Sequence, residues 1–256
     1  MFLRVNDLDV HVQIKGPQGA PALLLIHSLG TNLHVWDPQA EALSDRFRVI
    51  QVDMRGHGLT TVTPGPYTIA GLAQDHLALL DALGVEKAHV AGLSIGGFIA
   101  QSMAHQAPGK VASLILSDTA LIVPPPEGWT ARAEAVRKGG QEALVDMVMP
   151  RWVTAPFLSS PEGMGVRAMF LRTAPEGYAA ACEALGAADL TADAAKIKVP
   201  TLVMVGEHDF ATPLTMAQAL ADAIDGAKLF VIPGASHIST VESPGPIVQA
   251  MRDFLT

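Results

Sequence analysis

One serine in the sequence lies in a setting that suits a nucleophile. The residues from Gly92 to Gly96 read Gly-Leu-Ser-Ile-Gly, with Ser94 at the centre. Glycines two positions before and after a serine permit a sharp strand-to-helix turn, which projects the hydroxyl outward. The backbone N–H of Ile95, at the start of the next helix, would then face a carbonyl oxygen that becomes an oxyanion. The pentapeptide is not decisive by itself, because a chain with 23 glycines contains such turns by chance.

A serine nucleophile needs a base within hydrogen-bond reach, and the base needs an acid that orients it. His237 ends the loop Pro233–His237 after the last predicted strand, and Asp209 lies in another loop that follows a strand. Together with Ser94 they follow the chain order Ser, Asp, His, which accompanies this kind of serine turn. Asp118 also ends a predicted strand and is the competing acid. We favour Asp209, so the sequence predicts acyl transfer by a Ser-His-Asp triad.

An acyl-transfer site also requires two hydrogen-bond donors for the oxyanion. The backbone N–H of Ile95 would be one of them. Leu29 is the natural candidate for the second, because it lies in the loop after the buried strand Ala22–Ile26. The alternative, that the residues from His27 to Gly30 form only a tight loop, stays open from the residues alone.

No group of residues in the sequence has the spacing of a metal site. Glu207 and His208 flank Asp209, but neither His-Glu-x-x-His nor another recognised ligand spacing occurs. We therefore predict no metal and no cofactor. Cys182 is the only cysteine, which excludes an internal disulfide, and its alanine-rich surroundings indicate a buried apolar position. His57 lies in a Gly-His-Gly turn, where we expect a structural role.

The elements that must position these side chains alternate between strands and helices. Continuous apolar runs such as Ala22–Ile26 predict strands covered on both faces, whereas Leu8–Lys15 alternates as a half-buried antiparallel strand does. Such alternation predicts the α/β class, with a mostly parallel sheet flanked by helices and ligands bound beyond the carboxyl ends of the strands. The serine, the aspartate and the histidine would therefore meet at one edge of the sheet.

The pattern changes between about Leu121 and Lys196, where strands disappear and helix-period segments follow one another. We predict helix starts at Thr130, at Ser160 and at Pro175. The sequence thus predicts a core made of residues 1–120 and 197–256. Residues 121–196, which we name the helical insertion, are expected to form a lid on that core.

Composition limits the partners. The 256-residue chain is 49% hydrophobic and carries a net charge of −8, with no basic cluster that would neutralise phosphates. These features argue against nucleic acid or an anionic membrane surface and favour a small-molecule substrate. The segment Met1–Val10 lacks a leader pattern, and no stretch is apolar for the length that a bilayer requires. We expect a cytoplasmic protein without a membrane partner and leave homo-oligomerisation open.

From Ala22 onward the sequence resembles the α/β-hydrolases. The motifs that carry the resemblance are His27-Ser28-Leu29-Gly30, Asp53-Met54-Arg55-Gly56-His57-Gly58, Gly92-Leu93-Ser94-Ile95-Gly96-Gly97, Gly206-Glu207-His208-Asp209 and His237. Within that superfamily it is most similar to the 3-oxoadipate enol-lactonases of aromatic catabolism. This closer similarity rests on Ser28-Leu29-Gly30-Thr31, Trp36-Asp37-Pro38-Gln39, Arg151-Trp152, Pro175-Glu176-Gly177-Tyr178 and Ala211-Thr212-Pro213.

The resemblance implies hydrolysis of a butenolide that carries a carboxymethyl group, with Ser94, Asp209 and His237 as the triad. One departure concerns the substrate, because the lactonases often have asparagine where this chain has His27. A serine at position 94 argues against haloalkane dehalogenase and epoxide hydrolase chemistry, since those related enzymes attack with an aspartate. Two alternatives remain: a broad-specificity carboxylesterase or arylesterase with perhydrolase side activity, and a catalytically weak ligand receptor.

An Arg-Trp pair stands out in the helical insertion, which is otherwise rich in alanine, leucine and methionine. We expect Arg151 to bind the substrate carboxylate and Trp152 to wall the pocket. The alternative is that Arg151 caps a helix or lies in solvent, as most arginines do. Arg55 and Arg172 are further candidates for the carboxylate site.

Overall fold

Eight strands form a single mixed sheet in the computed structural model, which describes residues 1–255. In chain order they are Phe2–Val5 (β1), Leu8–Lys15 (β2), Ala22–Ile26 (β3), Arg48–Val52 (β4), Ala88–Leu93 (β5), Val111–Ser117 (β6), Thr201–Gly206 (β7) and Lys228–Ile232 (β8). Across the sheet the order is β1-β2-β4-β3-β5-β6-β7-β8. Strands β1 and β2 are antiparallel to their neighbours, and β3 to β8 pair in parallel. The predicted α/β class with a mostly parallel sheet is confirmed.

Helices connect the strands. They are Asp37–Leu43 (α1), Ile69–Ala82 (α2), Ile95–Gln106 (α3), Pro126–Gly139 (α4), Val145–Trp152 (α5), Ala155–Leu158 (α6), Pro161–Arg172 (α7), Pro175–Gly186 (α8), Thr191–Ala194 (α9), Leu214–Ala223 (α10), Ser239–Glu242 (α11) and Pro244–Phe254 (α12). Short 3₁₀ turns cover Leu33–Trp36, Pro108–Lys110 and Gln141–Ala143. None of the helices in the described chain is both long and apolar enough to cross a membrane.

Between β6 and β7 the described chain contains helices only, from α4 to α9. Two of the three predicted helix starts are correct: the Ser160 hydroxyl accepts a hydrogen bond from Gly163 N–H at the start of α7, and α8 begins at Pro175. The third is wrong. Helix α4 begins at Pro126, because proline at the first position needs no hydrogen-bond partner for a backbone N–H, and Thr130 lies inside the helix.

Burial along the strands explains why their carboxyl ends can carry a site. Every residue of β3 and β7 is buried, and β5 is buried except for a partly exposed His89, as expected for central strands of a covered sheet. In β2 the residues Leu8, Val10 and Val12 are buried and alternate with exposed or partly exposed ones. The packed central strands are a rigid base, and the loops beyond β3, β5, β6, β7 and β8 all emerge at the same edge of the sheet.

Candidate active site

Ser94 forms the turn between β5 and α3 in a backbone conformation that residues with a side chain rarely adopt. Its φ and ψ are 57° and −117°, and such a conformation costs about 1–3 kcal/mol of backbone free energy. A Cβ on Gly92 would lie 2.1 Å from the carbonyl oxygen of Gly96, and a Cβ on Gly96 would lie 2.3 Å from that of Ile26. Both glycines are therefore needed, one for the turn and the other for the close approach of α3 to β3.

Ser94, His237 and Asp209 form a continuous hydrogen-bonded series. The Ser94 Oγ lies 3.0 Å from His237 Nε2, and His237 Nδ1 lies 2.9 Å from Asp209 Oδ2. With the ring proton on Nδ1, the imidazole donates to the carboxylate and presents its Nε2 lone pair to the serine hydroxyl. The three residues follow β5, β8 and β7, so the parallel strands bring them to one edge of the sheet. This is the arrangement of a Ser-His-Asp triad.

Asp209 is held in its ionised form by a set of donors. Its Oδ1 accepts from the backbone N–H groups of Ala211 at 2.7 Å and Thr212 at 2.9 Å, and Oδ2 accepts from the Thr212 hydroxyl at 2.7 Å. Burial opposes ionisation, but the charge and hydrogen bond of His237 and the Thr212 donors outweigh it and lower the pKa of Asp209. Burial likewise disfavours the charged form of His237, yet the Asp209 carboxylate raises the pKa of the imidazole above 6.5. The pair can therefore stabilise an imidazolium.

Asp118, the competing acid, is fully buried beside the triad and makes a different set of contacts. Its carboxylate accepts hydrogen bonds from Gly206 N–H at 2.7 Å, the Ser117 hydroxyl at 2.8 Å and the Ser239 hydroxyl. Burial, reinforced by the charge of Asp209, raises the pKa of Asp118 to about 7. The structure thus brings Asp209 into hydrogen-bond contact with His237, while Asp118 ties the end of β7 to the segment after the histidine.

The two backbone N–H groups expected to form an oxyanion hole lack acceptors. Within residues 1–255 neither Leu29 N–H nor Ile95 N–H donates a hydrogen bond. Ile95 is the first residue of α3, and Leu29 lines the same cavity as Ser94. Gly30, with φ of 71°, packs so closely against the helical insertion that a Cβ would lie about 3 Å from three aromatic side chains. These are Trp152, Phe170 and Tyr178.

His27, the residue at which the chain departs from the lactonase pattern, stabilises the loop that contains Leu29 and Gly30. Its Nδ1–H donates to the carbonyl oxygen of Ser28 at 2.8 Å, and its Nε2 accepts from Met54 N–H at 3.0 Å. Burial lowers its pKa to about 4, so the ring is neutral at physiological pH. His57 packs against it with a centroid distance of 5.5 Å. Neither ring lines the cavity that contains Ser94.

Core loops and the helical insertion together enclose a cavity of about 70 Å³ above the serine. It is lined by Ser28, Leu29, Ser94, Phe98, Val123, Trp129, Arg132, Arg151, Trp152, Leu185, Ala211, Thr212 and His237. About 10–15 Å³ of such space holds one water molecule, so the cavity suits a small compact ligand. In the part of the chain that the structure describes, no group of three or more His, Cys, Asp or Glu side chains is arranged to hold a metal ion.

Two arginines of this cavity have no carboxylate partner within residues 1–255. Arg151, in the last turn of α5, is exposed but lines the cavity beside the buried Trp152. Arg132 of α4 is partly buried, and its guanidinium lies 4.9 Å from the centre of the Trp129 ring. By contrast, Arg137 of the same helix pairs with two glutamates of α8. The cavity therefore holds two positive charges that no carboxylate within residues 1–255 neutralises.

The other two arginines proposed from the sequence lie elsewhere. Arg55 is bound by Asp75, with Nε 2.8 Å from the carboxylate, and Arg172 lines a different groove. Sequence reasoning missed Arg132. Its signal was the i, i+3 spacing from Trp129, which places both side chains on one face of a helix.

Comparisons with known proteins agree with this geometry. A family model for the alpha/beta hydrolase fold matches residues 21–144, and one for TAP-like proteins matches residues 173–256. 3-Oxoadipate enol-lactonases 1 and 2 of Acinetobacter baylyi are 35% and 36% identical to the chain; the alignments cover 100% and 94% of it, and 96% and 91% of the relatives. The crystal structure of the enol-lactonase from Burkholderia xenovorans LB400 superimposes with a TM-score of 0.96 at 40% identity, covering 100% of this chain and 99% of that one. This chain therefore belongs to the α/β-hydrolase family and is a hydrolase.

Proposed function

We propose that this protein opens the ring of 3-oxoadipate enol-lactone by serine-dependent hydrolysis, giving 3-oxoadipate. The observation that carries the proposal is the pair of arginines, Arg132 and Arg151, that line the cavity containing Ser94 and have no carboxylate partner within residues 1–255. The enol-lactone carries a carboxymethyl group, and a guanidinium is well suited to bind a carboxylate through charge-assisted hydrogen bonds. The enol-lactonase relatives described above support the same substrate.

Acylation begins with Ser94 Oγ, whose proton passes to His237 Nε2 as the oxygen attacks the ring carbonyl carbon. The negative charge that develops on the carbonyl oxygen is stabilised by the N–H groups of Leu29 and Ile95. The ring C–O bond then breaks, and the imidazolium returns its proton to the leaving enol oxygen. Asp209 stays ionised throughout and stabilises the imidazolium. Conversion of the released enol to a ketone favours the open form.

Deacylation repeats these roles with water as the nucleophile. His237 takes a proton from the water, which attacks the acyl carbon, and returns a proton to Ser94 Oγ as the ester bond breaks. The opened chain carries a carboxylate at each end. One of them is the group newly formed at Ser94, and the other remains with Arg132 and Arg151.

The helical insertion, residues 121–196, acts in this proposal as a lid on the core of residues 1–120 and 197–256. It supplies Arg132 and Arg151 for the carboxylate, and the rings of Trp129 and Trp152 wall the pocket. A cytoplasmic location, the absence of nucleic-acid and membrane partners and the oligomeric state remain predictions from the sequence.

An ultraviolet assay with freshly generated enol-lactone, run beside 4-nitrophenyl acetate, tests the proposed substrate. We expect kcat/KM for the lactone to exceed that for the neutral ester by at least about tenfold, the effect of one charge-assisted hydrogen bond. A higher value for the neutral ester would favour the broad-specificity esterase. Failure of the purified protein to turn over either compound would favour the ligand receptor.

A further inference from the structure

Glu242, the last residue of α11, joins the helical insertion to the loop that carries His237. Its Oε1 accepts hydrogen bonds from the Thr154 backbone N–H at 3.0 Å and from the Thr154 hydroxyl. Its Oε2 accepts from Ser236 N–H at 2.8 Å. One carboxylate therefore bridges two segments that are 82 residues apart in sequence, from Thr154 to Ser236.

A second contact joins the same two segments on the other side of the histidine. The backbone N–H of Ile238 donates to the carbonyl oxygen of Trp152 at 2.8 Å. Ser236 and Ile238 are the immediate neighbours of His237, so the backbone on both sides of the base is hydrogen-bonded to Glu242 or to the end of α5. Trp152 also lines the cavity, as does Arg151 next to it.

The contacts of Glu242 give its carboxylate no role other than this bridge. The side chain is half-buried and lies outside the cavity lining. Within residues 1–255 it forms no ion pair, and its acceptors are used by Thr154 and Ser236 alone. Glu207 provides a comparison, because its Oε2 also accepts a backbone N–H of the histidine loop, that of Gly234 at 2.9 Å, but it makes no hydrogen bond with the helical insertion.

We propose that Glu242 is a positioning residue that holds the end of α5 and the His237 loop as one hydrogen-bonded unit. This unit fixes the position of the lid relative to the general base. The proposal rests on the proposed function only where it assigns substrate contacts to α5. Because the carboxylate holds the backbone N–H of Ser236, directly before His237, it affects how well the imidazole is aimed at Ser94 and Asp209. It does not touch the substrate, so its influence falls on kcat more than on KM.

Glu242→Gln is the direct test. A carboxamide has one acceptor oxygen and turns its NH₂ group toward one of the two donors, so either Thr154 or Ser236 loses its partner. With 4-nitrophenyl acetate we expect kcat per active site to fall about ten- to a hundredfold, because misplacement of a catalytic group by about 1 Å can cost on the order of a hundredfold in rate, with KM changed by less than about twofold. Active sites are counted by organophosphonate titration, which removes any contribution from unfolded protein. Glu207→Gln is the matched control and should retain kcat.

The pH profile separates positioning from a general loss of structure. The charged groups that face His237 are Asp209, Asp118 and Arg151, and Asp209 is the one in hydrogen-bond contact. In Glu242→Gln, release of the loop should weaken the contact between Asp209 and His237 and lower the pKa of His237, so the acid limb of the kcat profile should move to lower pH. In Glu207→Gln the acid limb should stay in place. An unchanged acid limb together with wild-type kcat per active site would overturn the proposal.

Thr154→Val provides an independent second variant, since it removes the hydroxyl donor and keeps the backbone N–H. The loss in kcat from Thr154→Val should largely disappear when Glu242 is already glutamine, because both changes break the same link. Fully additive losses would overturn the proposal. A wild-type enzyme that cleaves 4-nitrophenyl acetate and not the enol-lactone would refute the proposed substrate, while the ester would still decide the role of Glu242.

Discussion

Replacement of the two cavity arginines gives the most direct test of how substrate is recognised. Methionine approximates the apolar stem of arginine and removes its charge and donors, so we consider Arg132→Met and Arg151→Met. A hydrogen bond to a charged group contributes about 1.5–3 kcal/mol of binding free energy, and about 1.4 kcal/mol corresponds to a factor of ten. The expected loss in kcat/KM for the enol-lactone is therefore about ten- to a hundredfold for each arginine.

The difference in burial between the two arginines predicts which substitution causes the larger loss in kcat/KM. Arg132 is partly buried and lies over the Trp129 ring, whereas Arg151 is exposed. Solvent screens an exposed charge, so the loss for Arg151→Met should lie near the lower limit of about tenfold and that for Arg132→Met should be larger. The double variant should lose less than the product of the two single losses, because both guanidinium groups bind one carboxylate.

The assay compares kcat/KM for the enol-lactone with that for 4-nitrophenyl acetate, which has no carboxylate. Arg137→Met is the matched control: it lies on α4 like Arg132, but its guanidinium pairs with Glu176 and Glu183 and does not line the cavity. We expect the neutral ester to be cleaved by Arg132→Met and Arg151→Met at nearly the wild-type rate. Equal losses on both substrates, or an equal selective loss in Arg137→Met, would refute the assignment and give these arginines a structural role.

The remaining predictions concern the triad and its surroundings. Ser94→Ala should abolish turnover and covalent labelling by an organophosphonate, and mass spectrometry that finds the label on another residue would contradict this. Asp209→Asn should lower kcat by several orders of magnitude and Asp118→Asn far less, since only Asp209 fixes the imidazole tautomer; steady-state kinetics that reverse this ranking would move the acid role to Asp118. Activity should rise with pH as His237 loses its proton, with a midpoint above 6.5 because Asp209 raises its pKa, whereas a flat kcat/KM profile between about pH 5 and 8 would exclude a histidine base. Gly30→Ala should lower kcat, because a Cβ meets the aromatic side chains of the helical insertion, and an unchanged kcat would show that the loop can shift freely.

Much of the fold and of the site could be predicted because local pattern and topology point the same way. The buried run Ala22–Ile26 and the Gly-x-Ser-x-Gly turn around Ser94 each specify a local structure. In a parallel sheet the carboxyl ends of all strands share an edge, so assigning Asp209 and His237 to the ends of strands also brings them near the serine. Little knowledge of long-range contacts is needed for that inference.

The helical insertion was harder to predict because its geometry depends on packing. Thr130 has the residue type of a helix N-cap, but the prolines before it start α4 four residues earlier. Arg132 enters the cavity because α4 packs against α8, a contact that no local pattern reports. Glu242 lies in no sequence motif, and its role depends on hydrogen bonds from Thr154 and Ser236, which are far apart in the chain. These are contacts between segments far apart in the chain.

The two aspartates beside His237 are intermediate between what the sequence predicts and what only packing determines. Asp118 and Asp209 both follow neighbouring parallel strands, so topology alone places each within reach of the histidine. The charge and hydrogen bond of His237 keep Asp209 ionised, and donors from Ala211 and Thr212 in the short turn after it add to this effect. Asp118 is fully buried, and its charge is opposed by that of Asp209, so its pKa is raised to about 7. Two like charges so close cannot both be favoured. Both carboxylates accept three hydrogen bonds besides any from the imidazole, so direct contact with His237 is what lets Asp209 keep the charge that orients the base.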